Sequence, residues 1–202
     1  MLTFDHIAIS AETLEEGVAW VEAALGVTMA GGGKHPLMAT HNRLLGLGDL
    51  YLEVIAIDPE ATPPTHPRWF DLDRFNGSPR VTNWIARTND MDLELANAPQ
   101  GTGLPLSLSR GEYRWKMAVP PDGILPFDSA FPALIQWLTL LHPTQSLPDT
   151  GIRLKSLTVS HPEAETLQAA LNLFDPRVIL EEGPVKRLSA TFQTPNGERT
   201  LT

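Results

Sequence analysis

Cysteine is absent from this 202-residue chain. That excludes disulfides, thiol nucleophiles, Cys-ligated zinc and iron–sulfur clusters, so any metal would need His, carboxylate, amide or hydroxyl ligands. Positive charge is also scarce: 15 Lys+Arg stand against 24 Asp+Glu, a net charge of −9. Such a chain is a poor electrostatic match for nucleic acid or for an anionic membrane. No apolar run approaches the roughly 18–20 residues that span a bilayer. The opening Met1–His6 lacks the basic and apolar regions of a signal peptide, so a cytoplasmic location is expected. What is present is a foldable composition, 42% hydrophobic and 19% charged, with 15 Gly and 18 Pro that favour turns and strands over a helix bundle.

Residues 2–9 are short and apolar and read as a strand, with Phe4, His6 and Ala8 on one face and Asp5, Ile7 and Ile9 on the other. A helix follows: Thr13-x-x-Glu16 is a capping box, Leu14, Val18, Val21 and Leu25 form one stripe, and Gly26 suits its C-terminal end. Strands are expected at 38–46 and 50–57. Residues 58–79 carry five prolines and no clean period, so they read as a long connection, and Trp69, Phe70 and Phe75 suggest that it packs down over a site.

A second unit begins near Val81. Residues 82–88 can be laid over residues 4–10, a short helix is expected at 90–98, and strands at 104–109, 112–119 and 132–139. In this overlay Trp84 falls where His6 falls, and Gln136 where Glu53 falls. The divisions are therefore 1–57, 58–79, 80–140 and a partial third unit at 151–202, with a strand at 152–160, a helix at 161–174 and strands at 177–181 and 186–194.

The β-α-β-β-β order resembles the module of the vicinal oxygen chelate superfamily, and within it the glyoxalase-like domain family. Phe4-Asp5-His6-Ile7-Ala8-Ile9, Thr40-His41-Asn42-Arg43-Leu44 and Gly48-Asp49-Leu50-Tyr51-Leu52-Glu53-Val54-Ile55 carry the resemblance. It covers 1–57 most fully, then 80–140, and fades beyond 150. It implies an α+β fold of repeated modules forming cupped mixed sheets, with a partial third module.

The resemblance also implies a divalent metal (Zn, Ni, Mn or Fe) held by residues of the first and last strands of two modules. Carried onto this chain, those are His6 and Glu53, with Trp84 and Gln136 in the second unit. Trp84 cannot ligate a metal, and His41 is the substitute ligand available nearby. Glu53 is the one nameable catalytic carboxylate; its alternative is a strand residue facing outward. Asn42, Trp84, Arg114 and Trp115 are the substrate-binding candidates, Arg114 because a guanidinium suits a carboxylate or phosphate.

Two functions follow from the resemblance. One is a metal-dependent lyase or isomerase acting on a small oxygen-rich or carbonyl substrate. The other is a metal-free binding protein of the bleomycin-resistance type, its cup lined by Trp84, Trp115 and Phe4. Modules of this superfamily pair within a chain or across a homodimer, and both arrangements are open.

Overall fold

The computed structural model covers residues 1–202. Strand β1 (Thr3–Ser10) leads into helix α1 (Leu14–Leu25), then β2 (Lys34–His35), β3 (Thr40–Gly46) and β4 (Tyr51–Ile57). The same order recurs in β5 (Arg80–Arg87), α2 (Met91–Asn97), β6 (Leu104–Arg110), β7 (Tyr113–Val119) and β8 (Ala133–Trp137). These eight strands form one mixed sheet ordered β2-β3-β4-β1-β5-β8-β7-β6. The order is symmetric about the antiparallel β1/β5 pair, with β1 parallel to β4 and β5 parallel to β8. The two ends of the order, β2 and β6, come into contact. The sheet therefore curls into a cup within one chain.

Helix α1 forms as its sequence dictates. The Thr13 hydroxyl accepts from Glu16 N at 3.2 Å, and Gly26 ends the helix at φ 67°, where a side chain is disfavoured. Leu14, Gly17, Val21 and Leu25 are its buried face. Gly17 allows close docking, since a Cβ there would lie 2.5 Å from Val54 Cγ1.

The last segment does not extend the cup. β9 (Arg153–His161), a helix at Ala164–Ala170, β10 (Val178–Glu182), β11 (Arg187–Thr194) and β12 (Gly197–Leu201) form a separate sheet ordered β10-β9-β11-β12. Its inner face (Leu157, Val159, Leu188, Ala190, Phe192) joins Phe4, Ile7, Ile9 and Trp84 in one apolar core on the convex side of the large sheet. The helix is shorter than its apolar spacing implies. It stops at Ala170 because Leu2 N is hydrogen-bonded to Asn172 O, which draws the chain into extended form, and Phe174 is left exposed.

A second core lines the concave side and contains Ala8, Ile55, Ile85, Trp115, Met117 and Ile135, together with Trp69 and Phe70 from the proline-rich connection. That connection makes a turn at Trp69–Arg74 with Phe70 and Asp71 at φ 58° and 56°. The left-handed conformation costs on the order of 1–2 kcal/mol per residue. Burial of both aromatic rings against the cup offsets it. No helix is long and apolar enough to cross a membrane.

Candidate functional site

The site begins with a break in β1. The β1/β5 register shifts between Phe4 and His6, so Asp5 is an extra residue in the ladder. A bulge of this kind re-aims side chains. Phe4 is thereby placed in the convex core with Ile7 and Ile9, not with His6 and Ala8 as plain alternation predicts. Asp5 and His6, consecutive in sequence, now meet: His6 Nδ1 lies 2.6 Å from Asp5 Oδ1.

The other ring nitrogen of His6, Nε2, faces Glu53 Oε2 of β4 at 3.6 Å, an ion-pair distance. Tyr51 stacks on the His6 ring at 4.2 Å between centroids. Asn42 of β3 donates to Glu53 Oε1 at 2.5 Å and accepts at Oδ1 from Gly33 N (2.8 Å) and Arg110 NH1 (2.9 Å). Arg110, at the end of β6, also lies 3.3 Å from His35 Nε2. Its contacts are thus to neutral partners, with no carboxylate attached. Trp69, Phe70, Trp115, Met117, Ile135 and Trp137 wall the remaining space, which is about 30 Å³. That is room for about one water. Trp69 Nε1 is buried there without a hydrogen-bond partner.

The charges follow from these contacts. Burial opposes ionisation of Asp5, but hydrogen bonds from His142 and His6 outweigh it and hold the carboxyl well below its usual range. Burial likewise opposes the charge on His6, while Asp5 and Glu53 on either side raise its pKa. Glu53, also buried, is brought down to about 2 by His6, His35 and Asn42. His35 is pushed down to about 4, chiefly by burial. Burial, then the charges of Asp5 and Glu53, push the Tyr51 hydroxyl well up. The cup floor therefore holds the His6 ring between two carboxylates that favour its protonated form, with a guanidinium one side chain away.

Of the residues nominated from sequence, the fold brings His6, Glu53, Asn42 and Trp115 to the cup. It takes the others elsewhere. Trp84 is on the convex face, in edge contact with Phe4 and donating to Ala130 O at 2.8 Å. The overlay on His6 missed it by one position, because the cup-side residue of β5 is Ile85. Gln136 is also one position off: Ile135 and Trp137 face the cup, while the Gln136 amide bonds Met91 N and Asn89 O at the start of α2. His41 and Arg43 alternate with Asn42 and so lie on the far face of β3. Arg114 is exposed, and its guanidinium bonds the Gly111 and Tyr113 carbonyls.

The residues that sequence reasoning missed are Asp5, His35, Tyr51, Arg110, Trp137 and His142. His35 and His142 each precede a proline, which made them look like loop residues. Arg110 ends its strand and carries no motif.

These positions test the implied metal. His6 uses opposite ring nitrogens toward Asp5 and Glu53, so the three cannot converge on one point. Gln136 is turned away, and the second unit offers the cup Arg110, Trp115, Met117, Ile135 and Trp137, none of which is a metal ligand. No three His or carboxylate side chains lie within reach of one ion. Two donors beside a guanidinium do not fit a divalent-metal centre.

The sequence matches the glyoxalase-like domain family over residues 4–174. No curated protein matches it in sequence. Among solved structures it is similar to a hypothetical protein from Staphylococcus aureus, at 14% identity and a TM-score of 0.61, over 93% of this chain and 88% of that one. It is also similar to methylmalonyl-CoA epimerase from Streptomyces coelicolor, at 20% identity and a TM-score of 0.46, over 71% of this chain and 100% of that one. The Mycobacterium tuberculosis methylmalonyl-CoA epimerase is matched at 15% identity and a TM-score of 0.43, over 66% and 85% respectively.

Proposed function

We propose, for a chain that belongs to the glyoxalase-like domain family of the vicinal oxygen chelate superfamily, that the cup binds a small carboxylate or carbonyl compound without a resident metal. The observation that carries this reading is Arg110. Its guanidinium lies at the cup with only neutral partners, beside the unpartnered Trp69 Nε1. The guanidinium and the indole N–H are both donors, and an oxygen-rich anion is the ligand that satisfies them together. The nearly filled cup means that entry needs the Trp69–Phe70 turn or Arg110 to shift. The reading takes the protein to be cytoplasmic and its ligand to be metabolite-sized.

The test is calorimetric titration of untagged protein with oxalate, pyruvate and lactate, alongside metal analysis. Saturable binding of one of these, lost in Arg110→Ala and unaffected by EDTA, is the expected result. Stoichiometric Zn, Ni, Mn or Fe that disappears in both His6→Ala and Glu53→Ala would overturn the metal-free reading.

A second reading, an isomerase or lyase, is favoured by His6, whose ring lines the ligand space and whose pKa is raised by Asp5 and Glu53 against the effect of burial. Glu53, held at about 2, is a weak base, which is why binding is placed first. Deuterium exchange into pyruvate or lactate in D2O, followed by proton NMR, separates the two. Exchange that stops in His6→Ala supports catalysis, and its absence leaves binding alone.

A further inference from the structure

We propose that the groove between the two sheets, where Arg80, Lys186 and Arg187 come together, is an anion site for a doubly charged tetrahedral oxyanion. It is separate from the cup and independent of the reading above. The groove has a volume of about 450 Å³ and is lined by these three cations with Val81, Thr82 and Leu188.

Its construction starts in β5. The β1/β5 register shifts a second time between Ala8 and Ile9, which leaves Thr82 as the extra residue. Lys186, just before β11, reaches across from the other sheet and donates to Thr82 O at 2.7 Å. That single contact leaves two ammonium hydrogens unused. Arg80 uses one guanidinium nitrogen on the Asn76 and Ser78 carbonyls and lies over the Phe75 ring at 4.2 Å. Neither arginine nor the lysine is in an ion pair, whereas the nearby Arg74 and Arg68 are paired with Asp71 and Asp73.

Three unpaired cations on one groove repel each other, in a chain whose net charge is −9. An oxyanion removes the repulsion and satisfies the free donors. Burial, then Arg80, push the Lys186 amine down to about 8. Arg80 faces it from β5 and Arg187 from β11, and the carboxylates of Asp128 and Asp71 act on it from the two turns.

Sulfate is the probe, because its charge does not change between pH 6 and 10. Calorimetry at low ionic strength should show saturable sulfate binding. Arg187→Ala, an exposed residue whose loss leaves the fold intact, should weaken it about tenfold, the worth of one charge-assisted hydrogen bond. Lys186→Ala should do the same. Raising the pH from 7 to 9.5 should weaken binding in the unmodified protein but not in Lys186→Arg, which stays charged. Comparison with phenyl phosphate identifies the source: tighter binding of the ester assigns an organic phosphate, and tighter binding of sulfate assigns a free oxyanion. Sulfate also stabilises proteins by exclusion from their surface, but that effect persists in the variants. Absence of saturable binding, or equal affinity in the unmodified protein and Arg187→Ala, would overturn the proposal.

Discussion

Asp5 Oδ2 lies 3.1 Å from His142 Nε2, across 137 positions of sequence. Because the carboxylate accepts, this nitrogen carries the proton, and His142 Nδ1 is free to accept from Thr144 N. The same oxygen accepts from Trp137 Nε1 at 3.1 Å. One fully buried carboxylate thus holds His6, Trp137 and His142 together, from the first strand, the last strand of the large sheet and the segment beyond it.

Asp5→Ala should therefore be costly. It leaves the buried His6 and the half-buried Trp137 and His142 without their acceptor, a loss of about 3–5 kcal/mol. Urea denaturation at pH 7 measures it. A loss below about 1 kcal/mol would show that water replaces the carboxylate and that Asp5 is not the organising group.

Stability should fall with acid in two stages. His35 is neutral and buried, with its pKa down from 6.5 to about 4. The unfolded state therefore binds the extra proton first, and the contribution of His35, full above about pH 6.5, is lost as pH falls toward 4. Its size is on the order of 3 kcal/mol. Glu53 adds a second stage, present above about pH 4.5 and lost as pH falls toward 2. His6 acts oppositely: its raised pKa gives stability below pH 6.5 that declines as pH rises through the folded value. Denaturant midpoints at pH 4, 5, 6 and 7.5 trace the curve, and His35→Gln should flatten its first stage.

Arg110 and Trp84 should separate binding from stability. Arg110→Ala should cost less than about 1 kcal/mol of stability, since no carboxylate partner is stranded, yet weaken the cup ligand about tenfold or more. Arg110→Lys should not restore affinity, because the planar fork is lost. If the lysine variant binds as well as the arginine, the carboxylate reading of the cup fails.

Trp84→Phe should do the reverse. It strands the buried Ala130 carbonyl, at about 1–3 kcal/mol, and leaves ligand affinity within twofold. A clear loss of affinity in a folded Trp84→Phe protein would contradict its placement on the convex face.

Gln136→Ala should remove the side chain that bonds Met91 N and Asn89 O, and cost about 1 kcal/mol through fraying of α2. Amide hydrogen exchange over residues 91–97 should accelerate while exchange in β4 stays constant.

The sequence by itself determined the element order. Capping box, apolar stripe, turn glycines and strand alternation are local signals, and they were enough to identify β1, α1, β3 and β4 and their repeat, while the cupped fold and the nomination of His6 and Glu53 came from the family resemblance. The inward packing of Trp69 and Phe70 was legible too, because aromatic residues in a long connection must be covered. What only the tertiary structure decided was which face each residue took in the second unit and around the bulge. Side chains in a strand alternate with period two, so a one-residue error sends Trp84 and Gln136 to the wrong side. A bulge is set by long-range pairing of β1 with β5, and no local pattern marks it at Asp5. His35 and Arg110 lie far apart in the chain and meet only because the sheet closes on itself, which is why the cation of the cup proved to be Arg110 rather than Arg114.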